Sequence, residues 1–305
     1  MTSLKDIARR LRDNPVVTSV LSFPLRKAKD AGFRVPRRIY ERVPFRGDFT
    51  VRVSDQGEMF HIRSHGHVVE NSLYWDGLDG FDAESLRPWM AFARESHVIL
   101  DIGANTGVYS LAAAAVRSAA QIHAFEPVPR IAALMRTNVA LNPSYSVSVH
   151  ELAVGAEDGT ANIFDPGGDN AYSASLNADF LASEKTSYPV RVTSIDSFVS
   201  EQQLTSVDLI KLDVEGYEEF ALAGMWNTLM QFKPPIFLEF LDVREGHKPL
   251  IEKIAALMSK GYQLYQLLPE GLKRSRTIEA APKGAYNVLL CIPERIPASI
   301  RATVS

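Results

Sequence analysis

The chain has 305 residues, 46% hydrophobic and 23% charged, with a formal net charge of −3. These values exclude disordered, collagen-like and coiled-coil classes and give no overall electrostatic bias toward nucleic acid. A lone cysteine, Cys291, excludes an intrachain disulfide and fits a reducing, cytoplasmic compartment.

The charge is unevenly placed. Residues 1–48 hold 12 Lys and Arg against 5 Asp and Glu, a head of +7 on a body of −10. This head reads as helices broken at Pro15, Pro24, Pro36 and Pro44, the first with Leu4, Ile7, Ala8 and Leu11 on one face. Arg9-Arg10 ahead of Val16–Leu25 has the outline of an export signal. Pro15, Ser19, Ser22 and Pro24 interrupt the apolar part, and no cleavage site is clear. A surface helix is therefore expected, its charges solvated or meeting anionic lipid, an anionic carrier or a second copy of the chain. No stretch approaches the ~20 apolar residues that span a bilayer.

Phe49 to Arg63 alternates about a turn at Asp55-Gln56-Gly57, the pattern of a hairpin. Residues 64–96 form a connector with a short helix from Glu84 to Arg94. From His97 the chain alternates strand and helix. Strands are predicted at His97–Asp101, Gln121–Phe125, Ser146–Leu152, Val207–Leu212, Pro235–Phe240, Tyr262–Leu267 and Tyr286–Ile292, with helices at Thr106–Arg117 and Pro129–Leu141. Such alternation implies a mainly parallel sheet covered on both faces. The division is an N-terminal extension, 1–96, and a core, 97–305, with an insertion at 155–195 carrying strands at Thr160–Phe164 and Tyr188–Thr193.

Asp101-Ile-Gly103-Ala-Asn105-Thr-Gly107 lies where a strand turns into a helix, the place where small residues admit a cofactor to the backbone. The next strand ends in Glu126, placed to accept from ribose hydroxyls. Dinucleotide loops read G-x-G-x-x-G, but here Val108 holds the last position and Asn105 the middle one. The leading acid repels a pyrophosphate and accepts from an ammonium, which points to S-adenosyl-L-methionine. The next two core strands end in Asp213 and Glu239. Acids at the carboxyl ends of strands line the ligand crevice of an open α/β sheet. They suit a cationic cofactor, sugar hydroxyls or a divalent metal. An aliphatic hydroxyl needs a base or a metal to become a nucleophile, and Asp213 and Glu239 are the candidates, with Mg²⁺ the metal that oxygen ligands alone would favour. Glu215 and Glu218 read equally well as first-turn acids favoured by a helix dipole. His61, His65 and His67 lack zinc spacing.

These residues resemble the FkbM-type S-adenosylmethionine-dependent methyltransferases. The motifs are Val98-Ile-Leu-Asp-Ile-Gly-Ala-Asn-Thr-Gly107, His123-Ala-Phe-Glu-Pro127, Asn138 with Leu141-Asn142, Leu152-Ala-Val-Gly155, Ser194-Ile-Asp-Ser-Phe198, Ile210-Lys-Leu-Asp-Val-Glu-Gly-Tyr-Glu218 and Pro235-Ile-Phe-Leu-Glu239, in the family's order over roughly 97–242. The resemblance implies a Rossmann-like class I methyltransferase fold, a seven-stranded sheet ending in an antiparallel pair. It implies O-methylation of a sugar hydroxyl in a bacterial glycoconjugate, free or carrier-linked, or of a polyketide or other secondary metabolite. By position, Asp101, Gly103, Asn105, Gly107 and Glu126 resemble the cofactor residues, Glu84 an acid the family carries before its first strand, and Ala153 the residue at the adenine edge. Asp213 and Glu239 resemble active-site acids. Tyr172, Ser173 and Ser175 match a serine-bearing segment. Two other classes compete. An NAD-dependent sugar dehydrogenase or epimerase is opposed by Val108 and by the lack of a Tyr-x-x-x-Lys pair. A non-catalytic relative would be expected to lose Glu126, Asp213 or Glu239, and all three are present.

Overall fold

The computed structural model describes residues 15–33, 35–36, 43–165, 175–176, 186–240, 248–277 and 286–305. The chain divides into two compact units, Met1–Ala83 and Glu84–Ser305. The amphipathic face expected at Leu4 to Leu11, and Tyr172 and Ser173, lie outside the described residues.

The first unit contains helix α1 (Pro15–Asp30), the antiparallel hairpin β1 (Gly47–Arg52) and β2 (Met59–Ser64), and α2 (Val68–Asp76). Phe49 and Val51 pair with Ile62 and Phe60 across the hairpin, and all four are buried while their neighbours face out. That period of two is the alternation read in the sequence. Phe49 and Phe45 pack on Tyr74 of α2, the latter stacked at 3.8 Å.

The second unit is built on eight strands, in the order β12-β11-β13-β10-β9-β3-β4-β5. They are β3 (Val98–Ile102), β4 (Gln121–Phe125), β5 (Val147–His150), β9 (Leu209–Leu212), β10 (Ile236–Phe240), β11 (Gln263–Leu268), β12 (Gly271–Ser275) and β13 (Tyr286–Cys291). Strands β5, β4, β3, β9 and β10 are mutually parallel, and β13 runs against both β10 and β11. This is the order of the expected class I methyltransferase sheet with one strand more than the seven expected. The addition is β12, which folds back on β11 through a turn at Pro269-Glu270. Its sequence, Gly-Leu-Lys-Arg-Ser, buries only Leu272, so it carries too little apolar pattern to read as a strand.

Helices cover the sheet. They are α3 (Ala83–Arg94), α4 (Val108–Val116), α5 (Pro129–Ala140), α6 (Ile195–Glu201), α7 (Glu218–Gly224), α8 (Trp226–Phe232), α9 (Lys248–Ser259) and a short α10 (Ala298–Arg301). The insertion forms a separate sheet of β6 (Ala153–Val154), β8 (Thr186–Thr193) and β7 (Gly159–Asp165). No described helix is long and apolar enough to cross a membrane.

Alternation along the central strands decides which residues face which layer. Leu100, Ile102, Ile210, Leu212, Ile236, Leu238 and Phe240 join one buried cluster with Ala221 and Leu222 of α7 and Ile254 and Leu257 of α9. On the opposite face, Phe237 packs edge-on against Trp89 and Phe92 of α3. Asp101, Lys211 and Glu239 share that second face, because each lies between two residues of its own strand that belong to the first cluster. In the parallel registers Asp101 lies beside Lys211 and Lys211 beside Phe237. Polar groups are thus carried into the core at the carboxyl ends of the strands.

Candidate active site

The turn after β3 depends on backbone freedom. Gly103 has φ +81°, Asn105 +52° and Gly107 +92°. A Cβ on Gly103 would sit 1.6 Å from the carbonyl oxygen of Asp213, so glycine is needed there for close approach of two strand ends. The sequence suggested that these glycines admit a cofactor. At Gly103 the more immediate demand is intramolecular.

Glu126 is buried at the end of β4 and fastens this turn. Its Oε2 accepts from the Asn105 amide at 3.1 Å and its Oε1 from the Val128 amide at 2.9 Å. Burial pushes its carboxyl up to about 7 against the lowering effect of those two amides. Each oxygen keeps a second lone pair for a ligand. Asn105 Oδ1 is buried with no hydrogen-bond partner. An orphaned acceptor beside an acid fits a ligand rich in donors, such as ribose hydroxyls or an ammonium. Asp101 is also buried, and its Oδ2 accepts from the Ser110 hydroxyl at 2.5 Å. Burial raises it to about 6, while Ser110 and the Lys211 charge pull it down.

The other expected cofactor residues are placed differently. Ala153 is buried on β6 among Val128, Ile131, Ile163 and Val190. Glu84 is exposed in the first turn of α3, where a helix dipole favours an acid.

The two strand-end acids meet. Asp213 and Glu239, together with Glu215, each offer an oxygen, all within 4.8 Å of one another. Lys211 organises them. It is 1% exposed in the middle of β9, between Ile210 and Leu212. Its Nζ donates to Asp213 Oδ2 at 3.0 Å and to Asn287 Oδ1 of β13 at 3.0 Å, and it lies 5.0 Å from the centre of the Tyr109 ring. Burial alone would raise the Asp213 carboxyl. The Lys211 charge and hydrogen bonds from Lys211 and Glu239 outweigh it and hold Asp213 below the ordinary range. Burial and the neighbouring Asp213 charge drive Glu239 well above its ordinary value. Glu239 is then the protonated partner that donates to Asp213, while its Oε2 is buried with no hydrogen-bond partner. Glu215 is pushed up to about 8 by burial and then by Asp213 and Glu218.

Lys211 and Glu215 had no assigned role in the sequence reading. A lysine inside a buried apolar strand was the available signal, since such a charge needs partners. Glu218 turns out to hold the local backbone. Its Oε1 accepts from the amides of Val214 at 3.1 Å and Gly216 at 3.2 Å, fixing a turn in which Glu215 adopts φ +54°. Ser175 is buried and donates to the Glu215 carbonyl at 2.6 Å, so that residue of the serine-bearing segment does reach the acidic loop. The three histidines of the hairpin region do not gather into a metal cluster among the described residues.

A family model described as the methyltransferase FkbM domain matches residues 101–264. The chain is 31% identical over 190 residues to the 2-O-methyltransferase NoeI of Sinorhizobium fredii, a match covering 58% of this chain and 76% of that protein. It is 26% identical over 195 residues to the 31-O-demethyl-FK506 methyltransferase FkbM of Streptomyces tacrolimicus, covering 55% and 74%. It is 27% identical over 149 residues to the hexuronic acid methyltransferase AglP of Haloferax volcanii, covering 48% and 58%.

Proposed function

The chain belongs to the FkbM methyltransferase family, and from that premise we propose that it is an S-adenosylmethionine-dependent O-methyltransferase acting on a sugar hydroxyl. The observation that carries this reading is Asp213. Its carbonyl lies against Gly103 of the cofactor turn while its carboxylate is held ionised by Lys211. One residue thereby joins the turn that holds the cofactor to the group that receives a proton.

The turn residues Asn105 and Glu126 would hold the cofactor through the orphaned Oδ1 and the remaining carboxylate lone pairs. S-adenosylmethionine, when bound, supplies an electrophilic methyl group on a sulfonium. The residues of this chain do the rest. An alcohol becomes nucleophilic as it loses its proton, and Asp213 is the acceptor for that proton. Glu239, kept neutral, orients the Asp213 carboxylate by donating to it. Glu215, poised near 8, can pass the proton on to water. A buried cluster of this kind also favours a substrate that arrives with several hydroxyl donors. The hexuronic acid named for one relative agrees with a sugar, whereas the 31-O-demethyl-FK506 named for another leaves a secondary-metabolite hydroxyl as the alternative acceptor.

Asp213→Asn keeps the shape of the site and removes the base. It is expected to leave the dissociation constant for S-adenosylmethionine within about threefold while cutting methyl transfer to candidate sugars at least ~10-fold, since a positioned base contributes about 10²–10⁴. Radiolabelled methyl transfer and calorimetry check this. An unchanged rate removes Asp213 from the mechanism, and a folded protein that ignores the cofactor overturns the reading as a whole. A divalent cation on Asp213, Glu215 and Glu239 is the second reading, favoured by their mutual spacing. Lys211 already supplies positive charge at that point, so chelation with EDTA is expected to leave activity unchanged. Loss on chelation and recovery with Mg²⁺ would select the metal.

Cofactor binding should also depend on pH. In the free protein Glu126 is protonated below about 7. Hydroxyl donors favour its ionised form, so binding expels a proton at low pH, and affinity rises from pH 6 to pH 8 before levelling off. Glu126→Gln should weaken binding by about tenfold and flatten that dependence. Calorimetry in buffers of different ionisation enthalpy measures the released proton directly.

A further inference from the structure

Helix α1 is oriented with its polar side inward. Thr18 and Ser22, one turn apart, are buried, whereas Val16, Val20, Leu21 and Phe23 are 70%, 66%, 51% and 63% exposed. A helix docked on its own body normally buries its apolar stripe. Val16, Val20, Phe23 and Lys27 follow i, i+4, i+7 and i+11 and so form one stripe along the solvent side. Lys27 closes it, with its Nζ 5.8 Å from the Phe23 ring centre. The first turn carries no acid, and the last carries Lys27 and Lys29. Arg26 turns aside to the Tyr74 ring at 4.8 Å. An exposed apolar stripe closed by a cation suits a helix that lies in a lipid–water interface.

We propose that this face of α1 docks the protein on an anionic lipid bilayer. The charge of the segment selects that occupant. Residues 1–48 carry +7, so pairing two copies through this face would bring like charges together, whereas an anionic surface is complementary to it. The side chains of Val20 and Phe23 enter the boundary between headgroups and acyl chains, and Lys27 meets the headgroups. The helix belongs to the Met1–Ala83 unit, whereas every residue assigned above to the reaction belongs to the other, so docking is separable from methyl transfer.

The test uses the full chain and vesicles of phosphatidylcholine with one third phosphatidylserine, against vesicles of phosphatidylcholine alone. The protein is expected to sediment with the anionic vesicles at low salt, at least tenfold more tightly than with neutral ones, and to be released by 0.5 M NaCl. Val20→Asp with Phe23→Asp should reduce that binding at least tenfold. Lys27→Glu should reduce it severalfold, and both variants should retain methyl-transfer activity and circular dichroism. Failure of the parent protein to bind, equal binding to neutral vesicles, or undiminished binding by the aspartate variant would overturn the proposal. So would a dimer in sedimentation velocity that Val20→Asp with Phe23→Asp dissolves while vesicles capture nothing. That outcome would assign the stripe to self-association.

Discussion

Lys211→Met is expected to reduce methyl transfer by at least a hundredfold and to destabilise the protein by about 3–5 kcal/mol, the cost of removing one member of a buried charge pair. The substitution preserves length and apolar stem, so the core remains filled. What it deletes is the ammonium 3.0 Å from Asp213 and 3.0 Å from Asn287. Asp213, Glu215 and Glu239 then face one another without that ammonium, and Asp213 loses the charge that keeps it ionised. The pH dependence distinguishes this from ordinary loss of packing. In the variant the folded-state pKa of Asp213 rises above its unfolded value, so folding is penalised as pH increases through that range. Denaturation should therefore show a larger loss at pH 8 than at pH 6, and any residual activity should rise with pH along a limb moved upward. A loss equal at both pH values would mean that Lys211 acts only by filling space. Arginine is not a rescue, because a planar fork does not fit where one Nζ serves two oxygens and a ring face.

Gly103→Ala should be the most damaging single methyl group in the cofactor turn. The left-handed backbone alone costs a side chain about 1–3 kcal/mol. The added Cβ would also fall 1.6 Å from the Asp213 carbonyl oxygen and 2.7 Å from its carbon, atoms of a strand end that cannot swing aside. Either β3 or β9 must move, and Asp213 moves with it, so activity and stability fall together. Gly107→Ala gives the contrast. Its φ of +92° is as unfavourable, but the nearest atom is the Met135 Cε at 3.1 Å, the flexible end of a side chain. It should lose only the conformational part, with its melting temperature lower by a few degrees, at roughly 2–4 °C per kcal/mol for a unit of this size. Thermal melts of the two variants side by side check the ranking. Equal shifts would remove the role assigned to the Asp213 carbonyl.

These two residues mark where sequence reading stops. Apolar runs ending in Asp101, Glu126, Asp213 and Glu239 were legible because a strand buried on both faces has few other places for an acid. The mainly parallel sheet was legible from alternation with helices, and the family motifs agreed with it. Lys211 was part of a quoted motif, yet its partners come from β9 and β13, and nothing local in Ile210-Lys211-Leu212 says that Asn287 lies opposite. Gly103 was read against a ligand, whereas its nearest neighbour is a carbonyl 110 positions later in the chain. Register between distant strands is a tertiary property, and both contacts depend on it. Strand β12 escaped for a different reason, having only Leu272 on its buried side. Glu218 was weighed as a dipole acid, and its bonds to the Val214 and Gly216 amides show a finer version of the same preference for negative charge at free N–H groups.

Strand β13 sets the order in which competence can be acquired. It is inserted between β10 and β11, with Asn287 opposite Glu239, and it closes the ligand shell around the Lys211 ammonium from 76 residues away. During synthesis, a chain that has already made its cofactor turn, Asp213 and Glu239 still lacks that last acceptor. Only when residue 287 has left the ribosome can the buried ammonium donate to the Asn287 Oδ1. The shell of Lys211 is thereby completed late: its acceptor on β13 is synthesised after the turn and the two strand-end acids that lie on the other side of the ammonium.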